Sequence, residues 1–101
     1  MGYRTPAHRA VAVKQVRSAL LASRSAILTT HLNADGDGAG SEAAVASWLR
    51  GNGSEAWIIN PTAFPDSLRF LIEDEDWIVP AGSRRARDLC EQADLAVVLD
   101  T

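Results

Sequence analysis

Three short, branched and almost uninterrupted apolar runs constrain the fold of this chain more than any other feature: Ala26-Ile27-Leu28-Thr29-Thr30, Ala56-Trp57-Ile58-Ile59 and Leu95-Ala96-Val97-Val98-Leu99. Runs this short and this apolar suit strands covered on both faces. Segments with helical spacing stand around and between them. Over residues 6–24, Val13, Val16 and Leu20 recur with Ala12 and Ala19 while Arg9, Lys14 and Arg17 take other faces, which predicts an amphipathic first helix. Residues 39–50 carry Ala43, Ala46 and Leu49 and are closed by Gly51-Asn52-Gly53, a second helix with its stop. A third helix is predicted over residues 83–92. Asp66 is expected to cap a short helix holding Leu68, Phe70, Leu71 and Ile72, residues 73–76 to be a solvated acidic loop, and Trp77-Ile78-Val79 to be a short strand. Strands alternating with helices imply an α/β fold, a parallel sheet with helices on both faces, because parallel neighbours need crossover connections.

Charge and composition narrow the function. Ten Lys plus Arg against thirteen Asp plus Glu leave a formal charge of −3, the wrong sign for bulk attraction to nucleic acid, so a phosphate ligand has to be met locally. The one cysteine, Cys90, cannot form an intrachain disulfide and has no CxxC spacing, which excludes a stapled secreted scaffold and a zinc finger. Inside the third helix Cys90 is expected to be a packing residue. No apolar stretch approaches the ~20 residues that span a bilayer, and the amino terminus lacks the apolar core of a signal peptide. The expected address is the cytoplasm, with no membrane partner. Asn52-Gly53-Ser54 spells a glycosylation acceptor but has no secretory context.

The stretch that carries chemistry runs from Thr30 to Ser41 and places His31, Asp35 and Asp37 directly after the first buried strand. Carboxylates crowded this closely repel one another unless a cation holds them. Hard oxygens together with an imidazole point to a divalent metal, and manganese fits that mixture best. Gly36, Gly38 and Gly40 allow unusual backbone angles at this point. In open parallel sheets the ligand crevice lies beyond the carboxyl ends of the strands. Asp100, ending the last apolar run, is therefore expected to face the same crevice. Taken singly the residues have duller roles: Asp37 could cap the second helix, and Asp35 could close an Asx-turn.

Other motifs fail on spelling. The Asn33-to-Gly38 stretch resembles a calcium-loop opening, but the twelfth place is Ala44 where a bidentate Glu belongs. The glycines approach the dinucleotide fingerprint with the wrong spacing, and Asn60 stands where an acidic ribose partner should be. The only lysine, Lys14, is not in a P-loop. Arg84, Arg85 and Arg87 open the third helix, where a solvated face is the simpler expectation than a phosphate site.

At these residues the chain resembles the DHH phosphoesterase superfamily, in its branch of RecJ-like nanoRNases and pAp phosphatases. The first motif of that branch, His-x-x-Pro-Asp-Gly-Asp-Ala-x-Gly-Ser after a buried strand, is matched by His31, Asp35, Gly36, Asp37, Gly40 and Ser41, with Ala34 in place of proline and Gly38 in place of alanine. The second motif, an Asp ending an apolar strand, is similar to the stretch ending at Asp100, and the likeness covers residues 27–101. It implies a Rossmann-like, DHH-type domain over residues 26–101 behind an amino-terminal helix in residues 1–25, incomplete at its carboxyl end. It further implies that His31 and Asp35 hold one of two manganese ions, Asp37 the other, and Asp100 bridges them, with Asp37 and Asp100 the catalytic pair. Such ions polarise a phosphoryl group and lower the pKa of a shared water.

The implied activity is hydrolysis of short oligoribonucleotides or 3′-phosphoadenosine 5′-phosphate, and a homodimer of the full-length protein is compatible with it. The Asp-His-His motif and the substrate-gripping domain of the family are expected beyond Thr101, so the isolated segment is expected to be inactive. The alternatives are a cyclic dinucleotide phosphodiesterase or pyrophosphatase of the same superfamily, or a non-catalytic nucleotide- or metal-binding module.

Overall fold

A computed structural model describes the backbone of residues 7–30 and 36–99, and their side chains except at 7, 8, 36 and 37. The elements are α1 (Ala7–Ala22), β1 (Ser25–Thr29), α2 (Gly36–Gly51), β2 (Glu55–Ile58), a 3-10 segment (Asp66–Leu71), a 3-10 turn (Glu75–Trp77), α3 (Arg84–Gln92) and β3 (Leu95–Val98). The three strands form one parallel sheet in the order β2-β1-β3. This is the α/β architecture that the alternating apolar runs imply.

Strand β1 is central, with Ala26 and Leu28 fully buried and Ile27 nearly so. Successive residues point to opposite faces. Ala26, Leu28, Ala56 and Ile58 pack with Ala39, Ala43, Ala46 and Leu49 of α2, whose small side chains bring the helix close to the sheet. On the other face Ile27 and Ile59 meet Val79 and Ala86, with Trp57 and Leu89 against them, which places α3 there. At the amino-terminal edge Asp94 accepts from the backbone N–H of Arg24 at 3.0 Å and of Ser25 at 3.2 Å, and these bonds hold its carboxyl below the ordinary range. Gly53, at φ 86°, supplies the left-handed residue that ends α2 and turns the chain into β2.

Several expectations are corrected. The third apolar run is strand β3, but as an edge strand it is covered on only part of its surface, and Val98 is 57% exposed. Trp77-Ile78-Val79 is no strand: Trp77 ends a 3-10 turn and only a single bridge joins Ile78 to Ile58, because Pro80 breaks the run. Asp66 begins the 3-10 segment without capping it; its carboxylate pairs with Arg69 Nε at 3.0 Å. Helix α2 starts at Gly36, three residues before the expected Ala39, so Gly36, Gly38 and Gly40 are helical. Cys90 is exposed rather than packed. The apolar stripe of α1 is only weakly covered: Val13 and Val16 stay exposed and line an open groove with Leu20, Val45 and Trp48.

The outer edge of β2 is protected by an arginine. Arg50, at the end of α2, donates from Nε at 3.1 Å and Nη2 at 2.9 Å to the Ala56 carbonyl, which points away from β1. Its guanidinium lies 4.6 Å from the ring centroids of both Trp57 and Trp77, and Arg85 lies 4.8 Å from Trp57. Arg85 thus packs along an indole, while Arg84 and Arg87 take the solvated positions expected of them. Replacing Leu28 by Ala in the central strand is expected to lower unfolding free energy by about 2–5 kcal/mol. Val98→Ala on the exposed edge should change it by less than about 0.5 kcal/mol. Urea midpoints of the two variants check the contrast, and equal midpoints would show that β1 is not the core of the sheet.

Candidate functional site

The connectivity locates the site. From β1 the chain steps to β2 on one side, then passes through α3 to β3 on the other side of β1. Strand order therefore reverses between β1 and β3, and in open α/β sheets ligands bind beyond the carboxyl ends of the strands at such a point. The pairing runs to the end of both strands: Thr29 lies opposite Val98, and the Leu99 N–H donates to the Thr29 carbonyl at 2.8 Å. His31 is the second residue after Thr29, and Asp100 follows Leu99 directly.

Of the four expected ligands, His31, Asp35 and Asp100 lie outside the described residues. Asp37 is the second residue of α2, inside the helix rather than at its cap, and its side chain lies outside the described set. Among the described residues no group of three or more His, Cys, Asp or Glu side chains could hold a metal ion. The donor chemistry proposed for the site therefore rests on the 31–37 stretch and Asp100.

Beneath that rim the structure carries a buried polar network for which sequence analysis assigned no role. Glu42, on α2, is fully buried. Its Oε1 accepts a hydrogen bond from Asn60 Nδ2 at 2.9 Å, while Asn60 Oδ1 accepts from the Thr30 backbone N–H at 3.2 Å. Asn60 is 6% exposed and Thr30 is 4% exposed, so the whole chain of bonds is shielded from water. Glu42 Oε2 has no hydrogen-bond partner among the described residues. The network joins three elements at one end of the sheet: α2 through Glu42, the exit of β2 through Asn60, and the exit of β1 through Thr30.

A signal for Glu42 was available. It falls between Ala39, Ala43 and Ala46 at helical spacing, on the stripe that packs against the sheet, where a charged residue needs an explanation. Asn60 offered no comparable sign, since an Asn before Pro is ordinary loop chemistry. Desolvation pushes the Glu42 carboxyl from 4.5 up to about 7, and the Asn60 hydrogen bond acts in the opposite sense. Beside the network, a cleft of about 260 Å³ opens from Asn60 between Phe64, Arg69, Val79 and Pro80. That is below the ~300–1,000 Å³ of whole-ligand pockets, so it suits one part of a ligand.

No family model matches the chain, and neither curated proteins nor solved structures include a match to it. No helix among the described residues is long and apolar enough to cross a membrane.

Glu42 makes stability depend on pH in a defined direction. Below 4.5 its carboxyl is neutral in both folded and unfolded chains. Between 4.5 and about 7 only the unfolded chain ionises, so stability falls with rising pH, and above about 7 the loss levels off. The full loss is about 3 kcal/mol at ~1.4 kcal/mol per pH unit. Glu42→Gln removes this group, so the difference between wild-type and variant unfolding curves, measured with a chelator present, should change by about that amount across the window and stay level above it. A difference independent of pH would refute the assigned burial.

Proposed function

We propose that this chain is the amino-terminal part of a manganese-dependent phosphoesterase of the DHH type that hydrolyses short oligoribonucleotides, 3′-phosphoadenosine 5′-phosphate, or both, in the cytoplasm. The observation that carries this is the Leu99-to-Thr29 hydrogen bond at the point where strand order reverses. The chain leaves those two paired residues toward Asp100 on one strand and toward His31, Asp35 and Asp37 on the other. In this proposal those four residues would hold two divalent cations, whose chemistry there would be polarisation of a phosphoryl group and supply of a water of lowered pKa.

The chain's own contribution is positioning and shelter. Parallel pairing fixes the strand ends, and α2 starts at Gly36, so its second residue, Asp37, belongs to a rigid element. The cleft beside Asn60, lined by Phe64 and Arg69 among others, is a place for one sugar or base of the substrate. A second proposal is a module that binds nucleotide or metal through the same residues without catalysis.

The full-length protein with manganese is expected to release mononucleotides from a short RNA, or phosphate from 3′-phosphoadenosine 5′-phosphate. Asp37→Ala and Asp100→Ala should each abolish the release by removing a ligand. Unchanged turnover in both variants would overturn the assignment, and manganese binding without any hydrolysis would favour the binding module.

A further inference from the structure

A buried hydrogen-bonded amide normally leaves open which way round it sits, because its oxygen and nitrogen have nearly the same shape. Here the neighbours decide. The Thr30 N–H can only donate, so at 3.2 Å it requires the amide oxygen of Asn60 on its side. The Asn60 nitrogen is thereby turned toward Glu42 Oε1, which accepts from it at 2.9 Å. Thr30 is the residue immediately before His31. Asn60 also lines the cleft that runs to Phe64 and Arg69.

Such a network is an expensive way to attach a helix to a sheet. Apart from Arg50 at the end of the helix, apolar side chains do that between α2 and the strands. A carboxyl that is fully buried, with one oxygen unpartnered among the described residues, persists where the surroundings need its direction rather than its packing.

We infer that Glu42 and Asn60 are positioning residues for the proposed cation site: Glu42 holds the Asn60 amide by its nitrogen, and the amide oxygen anchors the Thr30 N–H from which the chain departs toward His31. This deepens the function proposed above and rests on it. Residues that orient a metal site through its ligands typically alter metal affinity ~10–100-fold when removed.

Three variants of the full-length protein separate positioning from packing. Glu42→Leu fills the space without offering an acceptor, Asn60→Ala removes the relay, and Glu42→Gln restores an acceptor oxygen to it. Manganese affinity by calorimetry is expected to fall about tenfold or more in Glu42→Leu and Asn60→Ala and to return to within about threefold of wild type in Glu42→Gln. In the metal-free protein, hydrogen exchange at the Thr30 amide should accelerate at least about tenfold in the first two variants and not in the third. Thermal unfolding monitors the fold, and Glu42→Leu is informative even if it is more stable than wild type, since stability and metal affinity then move in opposite directions.

Wild-type affinity and unchanged Thr30 exchange in both disruptive variants would overturn the positioning role and leave the phosphoesterase proposal standing. A wild-type protein that takes up no manganese would remove that proposal, and the positioning role with it. Loss of affinity that Glu42→Gln fails to restore would also overturn the relay, because the acceptor alone would then not be what matters.

Discussion

A parallel strand held between two others has its backbone engaged on both sides, and its last residues emerge at the same rim as those of its neighbours. Strand β1 is in that position, and the site proposed here depends on it. Since β2 and β3 lie on opposite sides of β1, the chain has to cross the sheet once. In open α/β sheets such a crossing puts the ligand crevice at the carboxyl ends of the strands on either side of it, here β1 and β3. The small residues of α2 add to this constraint: Ala39, Ala43 and Ala46 let the helix lie close over β1 and β2, and Asp37 and Glu42 sit on that same rigid element.

Burial energetics separate Glu42 from the other acidic residues. Asp66, Glu73, Asp74, Glu75 and Asp76 are solvated and cost the fold little, as does the exposed pair between Asp66 and Arg69. Glu42 is held away from water with one strong partner, Asn60. Leaving a buried polar atom unpaired costs ~1–3 kcal/mol. This is comparable with the gain from burying one large aliphatic side chain, ~1.5–3 kcal/mol. A fold built for stability alone would place an alanine or leucine there, as it does at neighbouring positions 39, 43, 46 and 49.

Much of the architecture was legible because it follows from local chemistry. Ile27 and Leu28, and Ala56 and Ile58, are buried as a short branched run predicts, and Ser83 caps α3 by accepting from the Ala86 N–H at 3.1 Å. Expectations failed where tertiary context decided. Val97 and Val98 look as apolar as Ile27 and Leu28, yet β3 is at the edge and β1 in the middle, and composition does not encode strand order. Glycines at 36, 38 and 40 suggested a turn, but with Asp37 among them the segment begins α2 instead, since glycine lowers helix propensity without forbidding it. The Thr30–Asn60–Glu42 bonds join residues 18 and 30 positions apart in sequence, and no local pattern announces contacts of that range.

Paramagnetic manganese broadens the amide signals of residues near it, so a titration followed by amide-resolved NMR tests the central claim directly. If the ends of β1 and β3 share one cation site, the signals of Thr30, Gly38 and Leu99 broaden first and most, and those of Ser25 and Leu95 at the opposite ends of the same strands broaden least. Equal broadening at both ends of the sheet, or none at substoichiometric manganese, would contradict the account.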